Sequence, residues 1–389
     1  MQDSSAIVTE ETTQALPAQH PWEVEGWVPD KPADCDYGYV VAGQAIGCSR
    51  DELNSSFVAR GPSQLDFVWT PETPIPVRPE KVALLVPAFQ KIAIKAANRN
   101  IYIGLGLVAF GFVLARWFDD WELLFRNIFS IFGALAIVEG IWQRIDSRHY
   151  SQEDAESDAS SLRFGAWVEN KQIGIYTFFV AAFIVAVGFF QLLTGDKESI
   201  ERAGLVKQAV WDGQVWRLLT ACLMHVSFMH FWMNAVVLFH FAKIVEQTMR
   251  RAYIPLVFLV SGACGSVFSL LLYPHTTSVG ASGGLMGLLG FITVGSYLNR
   301  DFYPAKYLRN SIEAIVMIGV FGLFGFAFID NAAHLGGLCG GLLFGWLLLR
   351  PYNQKSDNQK AGWQVAILGT ASLVVLGLVA FMAIFKMWS

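Results

Sequence analysis

The chain has 389 residues, of which 54% are hydrophobic, 14% aromatic and only 15% charged, with 28 basic and 32 acidic side chains and a formal net charge of -4. A soluble domain carries roughly 25% charged residues, so the composition excludes an ordinary soluble enzyme as well as a disordered or collagen-like chain. The acidic balance excludes a nucleic-acid binder that works through a basic surface.

Residues 1–90 differ from the rest. They are polar, hold ten of the fourteen prolines and contain no apolar run near 20 residues. The start lacks a basic stretch followed by an apolar core and so does not read as a signal peptide. Tyr37–Ile46 and Lys81–Val86 predict strands between Pro and Gly breakers. The expectation is a small, β-rich soluble domain with a disordered leader. Its ligand is unknown, and Trp22, Trp27 and Trp69 read as packing residues rather than a binding face. The five cysteines, Cys35, Cys48, Cys222, Cys264 and Cys339, lack CxxC spacing, which leaves no disulfide framework and no zinc ribbon.

The remainder is a series of apolar segments. A helix needs about 20 residues to cross the ~30 Å hydrocarbon layer. The candidates are Ile101–Ala115, Leu123–Ile141, Ile173–Leu193, Phe228–Ile244, Tyr253–Leu272, Ser282–Leu298, Ile312–Phe328, Ala332–Leu349 and Trp363–Phe385, nine in all. The fold class expected is an all-α polytopic membrane protein. Residues 91–145 supply two additional transmembrane helices, 146–172 a polar linker, 173–350 a six-helix core and 351–389 one additional C-terminal helix. Lys91, Lys95 and Arg99 precede the first span, and Arg144, Arg148, Arg163, Lys171, Lys243, Arg250, Arg251, Arg300, Lys306, Arg309, Arg350, Lys355 and Lys360 fall in every second connection. The positive-inside rule then places the N-terminus in the cytoplasm and the C-terminus outside. The compact loops lean toward a bacterial inner membrane.

Polar and ionisable residues inside apolar spans are costly and are functional candidates by default. Ser282 lies in Gly280-Ala281-Ser282-Gly283, where a short loop enters a helix, and His334 lies near the start of the eighth span. His230 and Asn234 are one turn apart in the fourth span and share a face. The deduced topology puts all four at the outer ends of inward-running helices. Ser282 precedes Arg300 by 18 residues and His334 precedes Arg350 by 16. At ~1.5 Å per residue both sit roughly 24–27 Å above the inner boundary. Gly283, Gly287 and Gly290 in one helix, and Gly336, Gly337, Gly340, Gly341 and Gly345 in the other, permit close backbone approach. A hydroxyl and an imidazole at one depth can form a nucleophile–base pair, with Asn234 and His230 as oxyanion donors.

These residues resemble the rhomboid family of intramembrane serine proteases. The matching elements are Trp216-Arg217, His225-x4-His230-x3-Asn234, Glu246, Gly-Ala-Ser282-Gly and Ala-His334-x-x-Gly337-x-x-x-Gly341, spread over about residues 173–350. The resemblance implies Ser282 as nucleophile, His334 as general base and acid without a carboxylate, and Asn234 and His230 as the oxyanion hole. It implies that Trp216 and Arg217 belong to a membrane-embedded loop, that Glu246 is structural and that His225 supports the loop near the site. Met286 stands where the family usually carries an aromatic ring against the histidine, which implies an altered ring orientation. The resemblance also implies transmembrane protein substrates within the lipid bilayer, no cofactor or metal, and a lateral gate at Ile312–Phe328. Two alternatives stand beside it. One is an inactive rhomboid-like protein that binds transmembrane helices, and the other, a transporter, would show mid-span carboxylates or inverted repeats. Asp330, four residues before His334, raises a triad reading that the dyad family disfavours, and His240 reads as structural.

Overall fold

The computed structural model describes residues 20–22, 35–41, 44–61, 67–119, 128–324, 329–349 and 360–389. The chain divides into two compact units, residues 1–96 with 143–163 and residues 97–142 with 164–389.

In the first unit, β1 (Tyr37–Val41) and β2 (Gln44–Cys48) form an antiparallel hairpin. Helix α1 (Arg50–Arg60) opens with a capping box: Ser49 Oγ accepts from Glu52 N at 3.3 Å and the Glu52 carboxylate accepts from Ser49 N at 2.8 Å. β3 (Phe67–Thr70) and β4 (Thr73–Val77) complete a sheet of order β2-β1-β3-β4. The strand expected at Lys81–Val86 is not formed. Short 3₁₀ turns at Pro79–Lys81 and Ala83–Leu85 lead instead into α2 (Val86–Trp117). Leu85 and Phe89 are buried one helical turn apart, and so short an apolar run does not by itself distinguish strand from helix. Trp22 and Trp69 are buried, and Trp69 Nε1 donates to the Cys35 carbonyl at 3.1 Å. Trp27 and the leader over residues 1–19 lie outside the described residues.

The next helices are α3 (Ile128–Asp146) and α4 (Gln152–Glu169). The segment 146–172, expected to be a polar linker, is thus largely helical. Ala155 and Ala159 of α4 join Leu53, Phe57, Val68, Leu85 and Phe89 in the core of the first unit. Arg163 pairs at 2.7 Å with the buried carboxylate of Glu80. A buried charge of this kind requires a partner.

In the second unit α5 (Ile175–Thr194) is followed by a structured connection comprising α6 (Asp196–Ala203), β5 (Leu205–Val206), α7 (Lys207–Trp211) and α8 (Arg217–Thr220). Then come α9 (Phe228–Thr248), α10 (Tyr253–Leu272), β6 (Thr277–Ser278), α11 (Ser282–Leu298), α12 (Tyr307–Phe324), α13 (Asn331–Leu348) and α14 (Lys360–Trp388). Every expected span contains a helix. Residues 123–127 and 325–328 of two expected spans, and most of the charged segment 350–359, fall outside the described residues. Among the described residues, six helical stretches are long and apolar enough to cross a membrane: 83–117, 175–194, 228–248, 253–272, 331–348 and 362–388. Ser282–Leu298 is apolar but shorter. α3 and α12 are not among these stretches. The protein is a polytopic, integral membrane protein.

α11 lies at the centre, buried along nearly its whole length and packed most closely on α13 and α10. Glycine makes this possible. A methyl group on Gly337 would stand 2.0 Å from the Gly283 carbonyl oxygen, and one on Gly341 would stand 1.9 Å from that of Gly287. The two backbones therefore touch with no side chain between them. Glu246, in the last turn of α9, accepts from Gly174 N at 2.7 Å and from Thr177 Oγ1 at 2.6 Å, which fixes the start of α5.

Gly341→Ala is expected to force α11 and α13 apart at a cost of about 1–3 kcal/mol, typical of overpacking. Gly319→Ala in α12, where nothing lies within 4 Å, is expected to be neutral or slightly stabilising. Thermal unfolding in detergent checks both, and equal midpoints for the two variants would contradict the packing argument.

Candidate functional site

Four segments of the second unit carry the polar residues singled out by the sequence. The first is the turn before α9. The Gln191 side chain clasps the His225 backbone from both sides, donating to its carbonyl and accepting from its N–H, each at 2.9 Å. The His225 ring is buried and meets the His230 ring edge to face at 5.2 Å between centroids. Burial, with His230 alongside, pushes the His225 imidazole down to about 3, so it stays neutral at ordinary pH. Ser227 caps α9 by accepting from His230 N at 3.2 Å.

One turn further along α9 comes Asn234. Its side chain is buried, yet Nδ2 makes no hydrogen bond, and neither does Nδ1 of His230. An unsatisfied buried polar group typically costs about 1–3 kcal/mol, and both ring nitrogens of the neighbouring His225 are likewise without a hydrogen-bond partner.

The second segment delivers Ser282. Gly280 sits at φ +145° and donates its N–H to the Ala221 carbonyl at 2.9 Å. A methyl group on Gly280 would lie 2.9 Å from His230 Cε1, 3.2 Å from His230 Nε2 and 3.6 Å from Ser282 Oγ. The imidazole of His230 and the hydroxyl of Ser282 therefore border the same small volume. Only glycine leaves that volume open and adopts the required backbone conformation. Ser282 is the first residue of α11 and Met286, one turn on, is buried.

The third segment delivers His334. Asp330 caps α13, its Oδ1 accepting from Ala333 N at 2.9 Å, while its Oδ2 accepts from the Ser269 hydroxyl. Both carboxylate oxygens are thus engaged in holding the helix start. The carboxylate next to His334 in sequence is a cap, a role whose signal was an Asp placed just before an apolar helix. Gly283 packs on the Ala333 carbonyl and on Gly337, so the residues adjoining Ser282 and His334 are in backbone contact. Both side chains are half-buried. Among the described residues no hydrogen bond joins Ser282 Oγ to the His334 ring. Catalytic hydrogen bonds are often long in unliganded enzymes and tighten with substrate.

The fourth segment is the connection between α5 and α9. Arg217 is buried, donating to the Gly204 carbonyl at 2.7 Å and to Gln214 Oε1 at 2.8 Å, with its guanidinium 4.7 Å from the Trp216 ring centroid. Lys386 Nζ, near the end of α14, lies 5.5 Å from the Trp216 ring centroid. β5 pairs with β6, Leu205 opposite Ser278 and Val206 opposite Thr277, which ties this connection to the approach to Ser282. Lys207, Ser269 and Ser278, which no motif singles out, are gathered here by the fold. His240, six residues beyond Asn234 on α9, lies 3.7 Å from the Glu169 carboxylate. Among the described residues no group of three or more His, Cys, Asp or Glu side chains is placed to hold a metal ion.

The arrangement defines a class: a polytopic membrane protein in which a serine at the start of one apolar helix and a histidine on another border the same small space. Residues 212–351 match the family model described as the rhomboid domain. RHOMBOID-like protein 7 of Arabidopsis thaliana is 35% identical over 172 residues, 43% of this chain and 55% of that protein. RHOMBOID-like protein 6, mitochondrial, from the same plant is 32% identical over 173 residues, 43% of this chain and 53% of that one. The rhomboid protease GluP of Bacillus subtilis (strain 168) is 26% identical over 255 residues, 57% of this chain and 50% of its own length. The chain thus spans about half the length of these curated relatives.

Gly280→Ala is expected to displace the His230 ring and to strain the backbone, with a loss of stability of about 1–3 kcal/mol. Unfolding midpoints and the His230 ring resonances report this. An unmoved ring and an unchanged midpoint would refute the shared-volume reading.

Proposed function

We propose that this protein is an intramembrane serine endopeptidase that cuts transmembrane segments of other membrane proteins near the outer face of the bilayer. The observation that carries the reading is the space beside Gly280, bordered by Ser282 Oγ and the His230 ring, together with the unpaired Nδ2 of Asn234. A hydroxyl and an imidazole bordering one space, with an unpaired buried amide one helical turn beyond that imidazole on α9, support an acyl-transfer site.

In the proposed reaction Ser282 Oγ attacks the scissile carbonyl carbon while His334 takes the hydroxyl proton. The carbonyl oxygen becomes an oxyanion and receives hydrogen bonds from Asn234 Nδ2 and from the protonated nitrogen of His230. His334 then gives the proton to the leaving amine as the C–N bond breaks. Water, deprotonated by His334, attacks the acyl-enzyme, and the proton returns to Ser282 Oγ. Because Asp330 is committed to Ala333 N and Ser269, the proposal is a dyad.

A helical substrate hides its carbonyls in hydrogen bonds, so the segment to be cut has to unwind. Small or helix-weakening residues near the cut favour this. The substrate enters from the lipid side past α12, whose outer face exposes Ile312, Val316 and Leu323. The proposed orientation, with residues 1–90 in the cytoplasm and the C-terminus outside, rests on the distribution of Lys and Arg among the connections. A bacterial inner membrane is the proposed setting, on the compactness of those connections.

A second reading is a catalytically inactive helix-binding relative, favoured by the missing Ser282–His334 hydrogen bond and by Met286 in place of the usual aromatic ring.

The test is incubation of detergent-purified protein with a panel of transmembrane peptides, with fragment masses measured, beside labelling by a fluorophosphonate probe. Wild type is expected to cut and to be labelled at Ser282. Ser282→Ala is expected to lose both with its unfolding midpoint unchanged, and Asn234→Ala to lose on the order of a hundredfold in kcat. Turnover retained by Ser282→Ala would overturn the proposal, and a folded wild type that is neither labelled nor active favours the binding reading.

A further inference from the structure

Lys207 is a lysine enclosed in protein, 2% exposed. It follows β5 directly, and the pairing of β5 with β6 sets it beside Ser278. Its ammonium donates to Ser278 Oγ at 2.5 Å and to Thr276 Oγ1 at 3.4 Å. Ser278 Oγ is 3.2 Å from the Oγ of Ser269, which is fully buried on α10. Ser269 in turn gives its proton to Asp330 Oδ2. Asp330 Oδ1 accepts from Ala333 N, the residue before His334.

The direction of each bond follows from proton counting. A serine hydroxyl has one proton to give. Ser269 spends its proton on Asp330, so Ser278 is the donor in the Ser278–Ser269 pair, and Ser278 in turn accepts from Lys207. The chain therefore runs one way, from an ammonium through two hydroxyls to a carboxylate. Its two ends are opposite charges, and hydrogen bonds in such a chain polarise one another. Ser278 stands four residues before Ser282 and Asp330 four residues before His334. One buried chain thus grips the approaches to both residues of the proposed dyad.

We infer that Lys207 is a positioning residue, which through Ser278, Ser269 and Asp330 sets the start of α11 and the start of α13 relative to each other. Lys207 touches neither Ser282 nor His334. It acts by keeping Ser278 and Asp330 in register, so that the hydroxyl and the imidazole meet when substrate arrives. Burial lowers the Lys207 ammonium to about 8, and the Asp330 carboxylate works against that fall, as a group serving as one pole of such a chain requires. The inference rests on the protease reading and deepens it.

The experiment compares wild type, Lys207→Met, Lys207→Arg, Ser278→Ala and the double variant Lys207→Met/Ser278→Ala as full-length chains in detergent. For each, kcat and KM for a cleavable transmembrane peptide, the rate of fluorophosphonate labelling at Ser282 and the unfolding midpoint are measured. Misplacement of a reacting group by about 1 Å costs up to a hundredfold. Lys207→Met is expected to lose on the order of tenfold or more in kcat and in labelling rate, with KM and midpoint nearly unchanged. Lys207→Arg is expected to recover most of the loss, and the double variant to be no slower than Lys207→Met. Wild-type kcat in Lys207→Met, a loss that follows the midpoint, or multiplied losses in the double variant would overturn the positioning role while leaving the protease reading intact. A wild type that neither cuts nor is labelled would overturn the protease reading itself, and the positioning role with it.

Discussion

The second unit depends on backbone-to-backbone contact between α11 and α13. Where Gly337 meets Gly283 and Gly341 meets Gly287, a single methyl group would fall about 2 Å from a carbonyl oxygen. In lipid there is no hydrophobic gain from pressing two apolar helices together, so close packing has to come from small residues and van der Waals contact. That contact has a consequence for polar groups. It puts the first residues of two helices side by side, screened from lipid, and so makes a hydroxyl and an imidazole tolerable inside a membrane protein.

Around this seam the protein places its polar atoms in two distinct ways. Most are satisfied within the chain. Gln191 clasps the His225 backbone, Glu246 holds the start of α5, Arg217 binds Gly204 and Gln214, and Asp330 caps α13. Others in this unit are not satisfied, among them Asn234 Nδ2, His230 Nδ1, both ring nitrogens of His225 and Ser261 Oγ.

The elements outside residues 212–351 are not loose additions. α14 packs on α5, and its end reaches the connection that carries Trp216: Arg202 donates to the Met387 carbonyl at 2.7 Å, and Lys386 lies over the Trp216 ring. Phe132 of α3 stacks on Phe321 of α12 at 4.7 Å. α12 is thereby in contact with α3.

By itself the sequence determined the apolar segments, their lengths and the fold class, because hydrocarbon imposes one requirement on every span: about 20 apolar residues with internally paired backbone. It also singled out Ser282, His334, His230 and Asn234, since polar residues stand out against an apolar background. Short local patterns were less legible. Lys81–Val86 reads equally as strand or helix until Leu85 and Phe89 find one core, and the polar stretch at 152–169 gives no sign that Ala155 and Ala159 are buried. Only the tertiary structure decided that Asp330 caps a helix, that Gly280 opens the space between His230 and Ser282, and that Lys207, Ser278 and Ser269 join across three elements. Each of these depends on which distant segments become neighbours, and no spacing along the chain encodes that.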